Sequence, residues 1–163
     1  MNPPCTRPCA GATVSPKETP MDQNRPSLQV RTARLEDVPG ILELGRRVYT
    51  DVPPYTAGQI TGHLSAFPEG VFVAVYDGDV VGYAASSRLT EARIFRPHTW
   101  AAVTGGGYAS QHNAVGDWLY GIEVMVDPTR RRLRIGKRLY EARTRLCRDL
   151  GLKGIAFGAR LPG

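Results

Sequence analysis

The residues with the clearest chemical potential lie where an apolar run, residues 119–126, meets a cluster of arginines. Asp127 and Pro128 follow the run, and the cluster comprises Arg130, Arg131, Arg132 and Arg134. The pattern after the cluster predicts an amphipathic helix, whose first N–H groups lack intrahelical acceptors and carry partial positive charge. Arginine adds a planar fork of donors that fits phosphate oxygens. Together these features predict a binding site for a ligand that carries phosphates.

Val126, Pro128, Arg131 and Gly136 follow the spacing of a known signature. They resemble the acetyl-CoA motif of the GNAT N-acetyltransferases, V-x-P-x-x-R/Q-x-x-G-x-G/A, except that Arg134 stands where the family usually has its first glycine. We expect Arg134 to adopt ordinary helical φ and ψ, with its side chain turned outward and its N–H towards the ligand. A wider similarity, over residues 116–128 and 138–163, is to the GNAT domain fused ahead of a nitrilase-like carbon-nitrogen hydrolase in some bacterial proteins.

The resemblance implies an α/β fold of the GNAT acyl-CoA N-acyltransferase type, with a mixed, mostly antiparallel sheet flanked by helices. It implies transfer of an acetyl group from the cosubstrate acetyl-CoA to an amine of a small molecule or peptide, with no metal. Main-chain N–H groups of seven residues would hold the CoA diphosphate: Arg131, Arg132, Leu133, Arg134, Ile135, Gly136 and Lys137. Backbone of Val124, Met125 and Val126, at a splayed strand edge, would pair with pantetheine. The N–H near Val124 would polarise the thioester carbonyl.

Glu123, on the same apolar strand, is the candidate general base for the attacking ammonium. The alternative is that Glu123 forms an ion pair with one of the nearby arginines. Strand alternation predicts that Tyr120 faces away from Glu123 and packs with its hydroxyl satisfied. His98 and His112 lie in a long connecting segment, where we expect exposed side chains without a catalytic role.

The composition predicts one domain preceded by a tail. The chain has 163 residues, of which 42% are hydrophobic, enough for one core. Residues 1–27 contain six prolines and scarcely any large apolar residue, so we expect a disordered tail ahead of a GNAT domain at 28–163. Neither a signal-peptide core nor a run of about 18 apolar residues appears, which favours a cytoplasmic protein without membrane association. The three cysteines, Cys5, Cys9 and Cys147, have neither metal nor disulfide spacing, and Cys147 is expected in the core.

The net charge of +6 is concentrated in one segment, residues 130–153, with ten arginines and lysines against two carboxylates. Such local asymmetry indicates one anionic ligand or partner. Nucleic-acid binding is disfavoured, because the apolar side of this helix must pack on a sheet and aromatic residues are not interleaved with the basic ones. A competing function is that of a non-catalytic acyl-CoA-binding module that regulates an attached hydrolase. The expected protein partner is such a hydrolase domain or a second copy of the chain.

Hydrophobic periodicity predicts elements in the order βααβββαβ. The predicted strands are 28–31, 71–76, 80–89, 119–126 and 155–158, and the predicted helices are 36–49, 59–66 and 131–150. The apolar face of the last helix is predicted to comprise Ile135, Leu139, Ala142, Leu146 and Leu150. Asp77 and Gly78 predict a hairpin, and the long segment 90–117 would shape a substrate lid. The resemblance also predicts a C-terminally truncated fold that lacks a helix, two strands and a general-acid tyrosine.

Overall fold

The computed structural model describes residues 27–158, which form a five-stranded sheet in the order β1-β2-β3-β4-β5. The strands are β1 (Leu28–Thr32), β2 (Val71–Tyr76), β3 (Asp79–Leu89), β4 (Trp118–Val126) and β5 (Ile155–Phe157). Three neighbouring pairs are antiparallel, and β4–β5 is parallel. The predicted α/β fold with a mixed, mostly antiparallel sheet is therefore confirmed. The predicted tail, with Cys5 and Cys9, and the predicted truncation concern residues outside those described.

Five α-helices accompany the sheet: α1 (Val38–Val48), α2 (Ala57–Ala66), α3 (Glu91–Ile94), α4 (Trp100–Thr104) and α5 (Ile135–Asp149). Short 3-10 turns lie at Leu35–Asp37, Pro68–Gly70 and Arg131–Leu133. The core between α1, α2 and the sheet contains Ile41, Ile60 and Val73, whereas Leu139 of α5 packs with Phe72 on the opposite face. No helix among these residues has the length and hydrophobicity needed to span a bilayer.

The hairpin between β2 and β3 forms where the sequence predicts it. Tyr76 pairs with Asp79, and Asp77 and Gly78 between them both have positive φ, 52° and 83°. Two positive φ values are typical of the tight turn whose twist matches that of the flanking strands. The register of this hairpin fixes β3, the strand against which β4 and the candidate site are built.

Gly82 of β3 allows α5 to begin directly above the sheet. It pairs with Val126, and a Cβ at this position would collide with the side chain of Ile135, the first residue of α5. Since Ile135 and Leu139 are fully buried here, the helix start is held close to the end of β4. The proposed phosphate site and the proposed pantetheine edge are therefore neighbours in space.

His63 joins α2 to β3 and to the segment before β4. Its buried ring places Nδ1 2.6 Å from the Tyr83 hydroxyl and Nε2 2.8 Å from the Gly107 carbonyl oxygen. A carbonyl only accepts, so Nε2 carries the hydrogen and Nδ1 accepts from the Tyr83 hydroxyl. Burial lowers the pKa of His63 to about 4, so the ring stays neutral at physiological pH.

We expect His63 to make the folded state sensitive to mild acid. In the unfolded chain His63 has its ordinary pKa of 6.5, and in the folded chain its pKa is about 4. Between these two pH values the unfolded chain binds a proton that the folded chain does not bind. The free energy of unfolding therefore decreases as the pH falls from 6.5 to 4. Urea unfolding at pH 7 and pH 4.5 should show a loss of roughly 2–3 kcal/mol that is mostly removed in His63→Gln and retained in His98→Gln; the remainder comes from His112, whose pKa is also lowered by burial. Asp37, whose pKa is lowered by its hydrogen bond from Arg31, loses its contribution only below 3.8. Equal pH slopes in wild type and His63→Gln would contradict this assignment.

Candidate active site

A cavity of about 760 Å3 lies beside β4, between the α1–α2 connection and the segment that carries α4. Its wall contains four aromatic side chains, Tyr49, Tyr55, Trp100 and Tyr120, and one carboxylate, Glu123. The volume is typical of a small-molecule site. The long segment 90–117, expected from the sequence to shape a substrate lid, contributes His98 and Trp100 to the wall of this cavity.

The Glu123 carboxylate is held by two donors at the edge of this cavity. The Tyr49 hydroxyl donates to Oε2 at 2.6 Å, and the N–H of Val124 donates to Oε1 at 2.8 Å. Burial and the neighbouring Glu123 carboxylate raise the pKa of Tyr49, so its hydroxyl remains a donor. Within residues 27–158 no arginine forms an ion pair with this carboxylate, so the ion-pair alternative finds no support.

A β-bulge places Tyr120 on the same face of β4 as Glu123, so the prediction that they face opposite sides is wrong. Ala85 pairs with Glu123 and Ser86 with Gly121, which leaves Ile122 as an extra residue. Such an extra residue shifts the alternation of side chains by one position. Trp100 secures the bulge, because its Nε1 donates to the carbonyl oxygen of Ile122 at 3.3 Å.

Arg143 of α5 supports the bulge from the other face of the sheet. Its side chain is only 1% exposed and donates at 2.9 Å to Ser86 Oγ and to the carbonyl oxygens of Ala85 and Glu123. Gly121 leaves room for it, since a Cβ there would lie 3.0 Å from Nη1 of Arg143. The guanidinium therefore fixes the main chain of Glu123 and leaves the carboxylate free for the cavity.

The predicted apolar face of α5 is partly wrong. Ile135, Leu139, Arg143 and Cys147 are the buried residues of this helix, whereas Ala142 and Leu146 are half-buried and Leu150 is exposed. The predicted core position of Cys147 is confirmed. Because Arg143 does not fit an apolar pattern, hydrophobic periodicity placed the buried face of the helix about one residue away from its true position.

The edge of β4 beyond Gly121 is open in the described part of the chain. Parallel pairing with β5 covers Leu119, Tyr120 and Gly121, and no described strand pairs with residues 122–126 on that side. Val124, Met125 and Val126, predicted to bind pantetheine, lie on this open stretch. Their main-chain groups on that side are available to an extended ligand, as in the addition of a further strand.

Arg134 does not have the helical conformation expected from the sequence. It has φ 54° and ψ 33°, in the left-handed region, between the 3-10 turn Arg131–Leu133 and the start of α5 at Ile135. The predicted continuous helix over 131–150 is therefore interrupted. The left-handed conformation costs an arginine residue roughly 1–2 kcal/mol, a cost that glycine does not have because it lacks a Cβ. The first glycine of the GNAT signature falls at this position, where the backbone adopts the left-handed conformation that glycine adopts most easily.

The start of α5 leaves unpaired donors near the open edge. The first intrahelical bond runs from the Arg138 N–H to the Arg134 carbonyl, so the N–H groups of Ile135, Gly136 and Lys137 precede it. A Cβ at Gly136 would meet only Val126 Cγ2, at 3.7 Å, so the surface above this turn is open. A ligand oxygen can approach these N–H groups without displacing protein atoms.

Arginines surround a smaller hollow of about 350 Å3 before α5. Arg130 lies over the Tyr76 ring at 5.4 Å, and Arg131 donates through Nε to the Pro128 carbonyl at 3.2 Å. Asp127 is occupied elsewhere, because it accepts from the N–H and hydroxyl of Thr129 and pairs with Arg47. Among the residues described, Arg130, Arg131 and Arg132 have no carboxylate partner, so their charge faces solvent.

The two histidines of the connecting segment differ in position. His98 lines the cavity with its ring centroid 6.0 Å from that of Tyr120, and is not merely exposed. His112 stacks on Phe67 and accepts the N–H of Arg88, away from the cavity wall. Sequence reasoning missed Tyr49 and Tyr55, which lie in the connection between α1 and α2 and belong to no recognisable motif.

The comparisons with known proteins agree with this architecture. The probable hydrolase YhcX of Bacillus subtilis (strain 168) is 39% identical over 133 residues, covering 82% of this chain but 26% of that protein. The loading GNATL domain of CurA from Lyngbya majuscula superposes with a TM-score of 0.69 at 18% identity, over 80% of this chain and 64% of that one. A GNAT acetyltransferase from Brucella melitensis in complex with acetyl-CoA has a TM-score of 0.56 at 21% identity, over 83% of this chain and 77% of that one.

The family assignment follows from the sequence match together with the fold. The model of the acetyltransferase (GNAT) family matches residues 40–161, which contain most of α1, the open β4 edge and α5. The solved structures share the overall fold described above. The chain therefore belongs to the GNAT acetyltransferase family.

Proposed function

We propose that this protein transfers an acetyl group from acetyl-CoA to an amine, with Glu123 as the general base. The observation that carries the proposal is the position of the Glu123 carboxylate, which contacts the N–H of Val124 on one side and lines the aromatic cavity on the other. A base between the expected thioester and the expected amine is the arrangement that acyl transfer needs.

The donor side of the site would bind acetyl-CoA by its main chain. Within residues 131–137 the N–H of Leu133 donates to the Arg130 carbonyl oxygen, so the N–H groups of Ile135, Gly136 and Lys137 above all would hold the diphosphate at the start of α5. Val124, Met125 and Val126 would pair with pantetheine along the open edge of β4. The acetyl-CoA bound in the Brucella melitensis relative supports this choice of donor.

The transfer step would begin when Glu123 takes a proton from the ammonium, which leaves a neutral amine that attacks the thioester carbonyl. The Val124 N–H would stabilise the oxyanion that forms on the carbonyl oxygen. The carbon–sulfur bond would then break, CoA would leave as a thiolate, and that thiolate would take the second proton that the attacking nitrogen loses as it becomes an amide. Since the Val124 N–H now donates to Glu123, the carboxylate must turn towards the amine when the thioester arrives.

Substitution in the arginine-rich turn, residues 130–134, tests whether acetyl-CoA binds there. The Arg131 guanidinium, which has no carboxylate partner among the residues described, would add a side-chain donor to the diphosphate, so Arg131→Ala should weaken acetyl-CoA binding by about 1.5–3 kcal/mol, the range for hydrogen bonds to charged groups. Arg145→Ala should leave the affinity nearly unchanged, because Arg145 is exposed more than two turns beyond the helix start. Calorimetric titration of both variants with CoA and with dephosphorylated pantetheine decides this. If Arg145→Ala is as damaging as Arg131→Ala, the charge acts as a diffuse field, and nucleic acid becomes the ligand to test.

A non-catalytic acyl-CoA-binding module is the competing function from the sequence. It predicts that acetyl-CoA raises the melting temperature while no amine in a panel causes release of CoA. The chain spans about a quarter of the hydrolase-named relative, so a fused or associated nitrilase-like hydrolase is a proposal, as is a second copy of this chain. The cytoplasmic location stays a prediction from the sequence.

A further inference from the structure

We infer that the acceptor is a monoamine, one ammonium on an apolar stem, and that polycationic amines such as polyamines and aminoglycosides are poor acceptors. This inference rests on the proposed function, because it takes the aromatic cavity as the amine site. The evidence lies in the charge of the cavity wall, in its aromatic surface and in one unsatisfied hydroxyl.

The cavity wall carries one negative charge. Glu123 is its only carboxylate among the residues described, and the remaining wall is formed by aromatic, aliphatic and proline side chains with His98. Of the acidic residues near Tyr49 in sequence, Glu43 is engaged with Arg46 and Arg47, and Asp51 is exposed and does not contribute to the cavity wall. A second or third ammonium on the acceptor would therefore lose water without gaining a carboxylate, which is strongly unfavourable.

The aromatic side chains of the cavity wall favour a ligand that has one cationic group at its end and an apolar chain attached to it. Tyr55 and Trp100 meet edge to face, with centroids 6.2 Å apart and planes at 78°, and both line the cavity. The Tyr49 ring is held in place by the hydrogen bond from its hydroxyl to Glu123, and the Trp100 ring by the hydrogen bond from its Nε1 to the Ile122 carbonyl oxygen. An ammonium beside Glu123 would gain cation–π attraction from such rings, and the apolar stem would cover the rest of the wall.

The Tyr55 hydroxyl is the group that lacks a partner. Its oxygen is shielded from solvent and has no partner within ordinary hydrogen-bond distance in residues 27–158, although a buried polar atom normally has one and the Glu123 carboxylate is near enough to interact with it weakly. Burial and then the nearby Glu123 carboxylate raise the pKa of Tyr55, so the phenol is neutral. It can accept a hydrogen bond from an ammonium that also donates to Glu123, and bound amine would thereby satisfy a buried polar group.

Calorimetric titration of the CoA-saturated protein with amines tests this inference. We expect phenethylamine and isopentylamine to bind at least about tenfold more tightly than spermidine or kanamycin, and phenethyl alcohol to bind weakly. Tyr55→Phe should weaken phenethylamine by about five- to tenfold at an unchanged melting temperature. Tyr108→Phe, at an exposed tyrosine outside the cavity wall, is the matched control and should bind as wild type.

The results separate this inference from the proposed function. Preference for spermidine or kanamycin, absence of amine binding, or wild-type affinity in Tyr55→Phe would overturn the inference, whether or not acetyl-CoA binds. Acetyl transfer to any amine, measured on the same protein, tests the proposed function alone. If monoamines bind tightly but no acetyl group is transferred, the cavity is still a monoamine site and the proposed transferase activity is wrong.

Discussion

Glu123→Gln should reduce acetyl transfer by about 10²- to 10⁴-fold at saturating substrates while leaving the affinity for acetyl-CoA within about twofold. The amide keeps the shape of the side chain, but at the two oxygen positions it can accept from only one of Tyr49 and Val124, and it cannot take the proton of the ammonium. Release of CoA measures the rate, and calorimetric titration measures the affinity. The rate of the variant should rise more steeply with pH than that of wild type, because it depends on amine that is already neutral.

Glu91→Gln is the matched control for that substitution. Glu91 is an exposed carboxylate bound to Lys153 and Trp118, away from the cavity wall, so its loss should leave turnover unchanged. Equal turnover of wild type and Glu123→Gln would remove Glu123 from the chemistry. A loss of acetyl-CoA affinity as large as the loss of rate would instead assign Glu123 to the binding of the donor.

Arg143→Ala should lower the free energy of unfolding by about 3–5 kcal/mol, because it leaves three buried acceptors at the bulge without a donor. Those acceptors are Ser86 Oγ and the carbonyl oxygens of Ala85 and Glu123. Urea unfolding measures the change. The control is Arg145→Ala, two residues along the same helix and exposed, which should stay within about 0.5 kcal/mol of wild type.

Arg143→Met separates hydrogen bonding from packing. Methionine fills much of the same volume but donates nothing, so this variant should remain at least about 2 kcal/mol less stable than wild type. Wild-type stability in Arg143→Met would show that the side chain acts by its volume alone. In that case the main chain of Glu123 would need another explanation for its position.

The elements with strong local signals could be predicted from the sequence. Apolar runs with β-branched residues predicted β2 and β3, and Asp77 and Gly78 predicted their hairpin. The spacing of Val126, Pro128, Arg131 and Gly136 located the arginine-rich turn at the end of β4. These features depend on neighbours within a few residues along the chain, so a single sequence carries them.

The rest depends on contacts between distant segments. The extra residue Ile122 in β4 is visible only from its register with β3, and it decides that Tyr120 shares a face with Glu123. Arg143 is buried because that bulge offers it three acceptors. Arg134 keeps a left-handed conformation because the chain must turn between Leu133 and α5. No local pattern in the sequence encodes these relations.

A crystal structure of the protein with acetyl-CoA tests the central claim most directly. We predict that the thioester carbonyl oxygen accepts the Val124 N–H at about 2.7–3.1 Å, with the diphosphate on the N–H groups at the start of α5 and the Glu123 carboxylate turned into the aromatic cavity. A structure with acetyl-CoA bound, in which the Val124 N–H still donates to Glu123 and the acetyl group lies away from the cavity, would contradict the account.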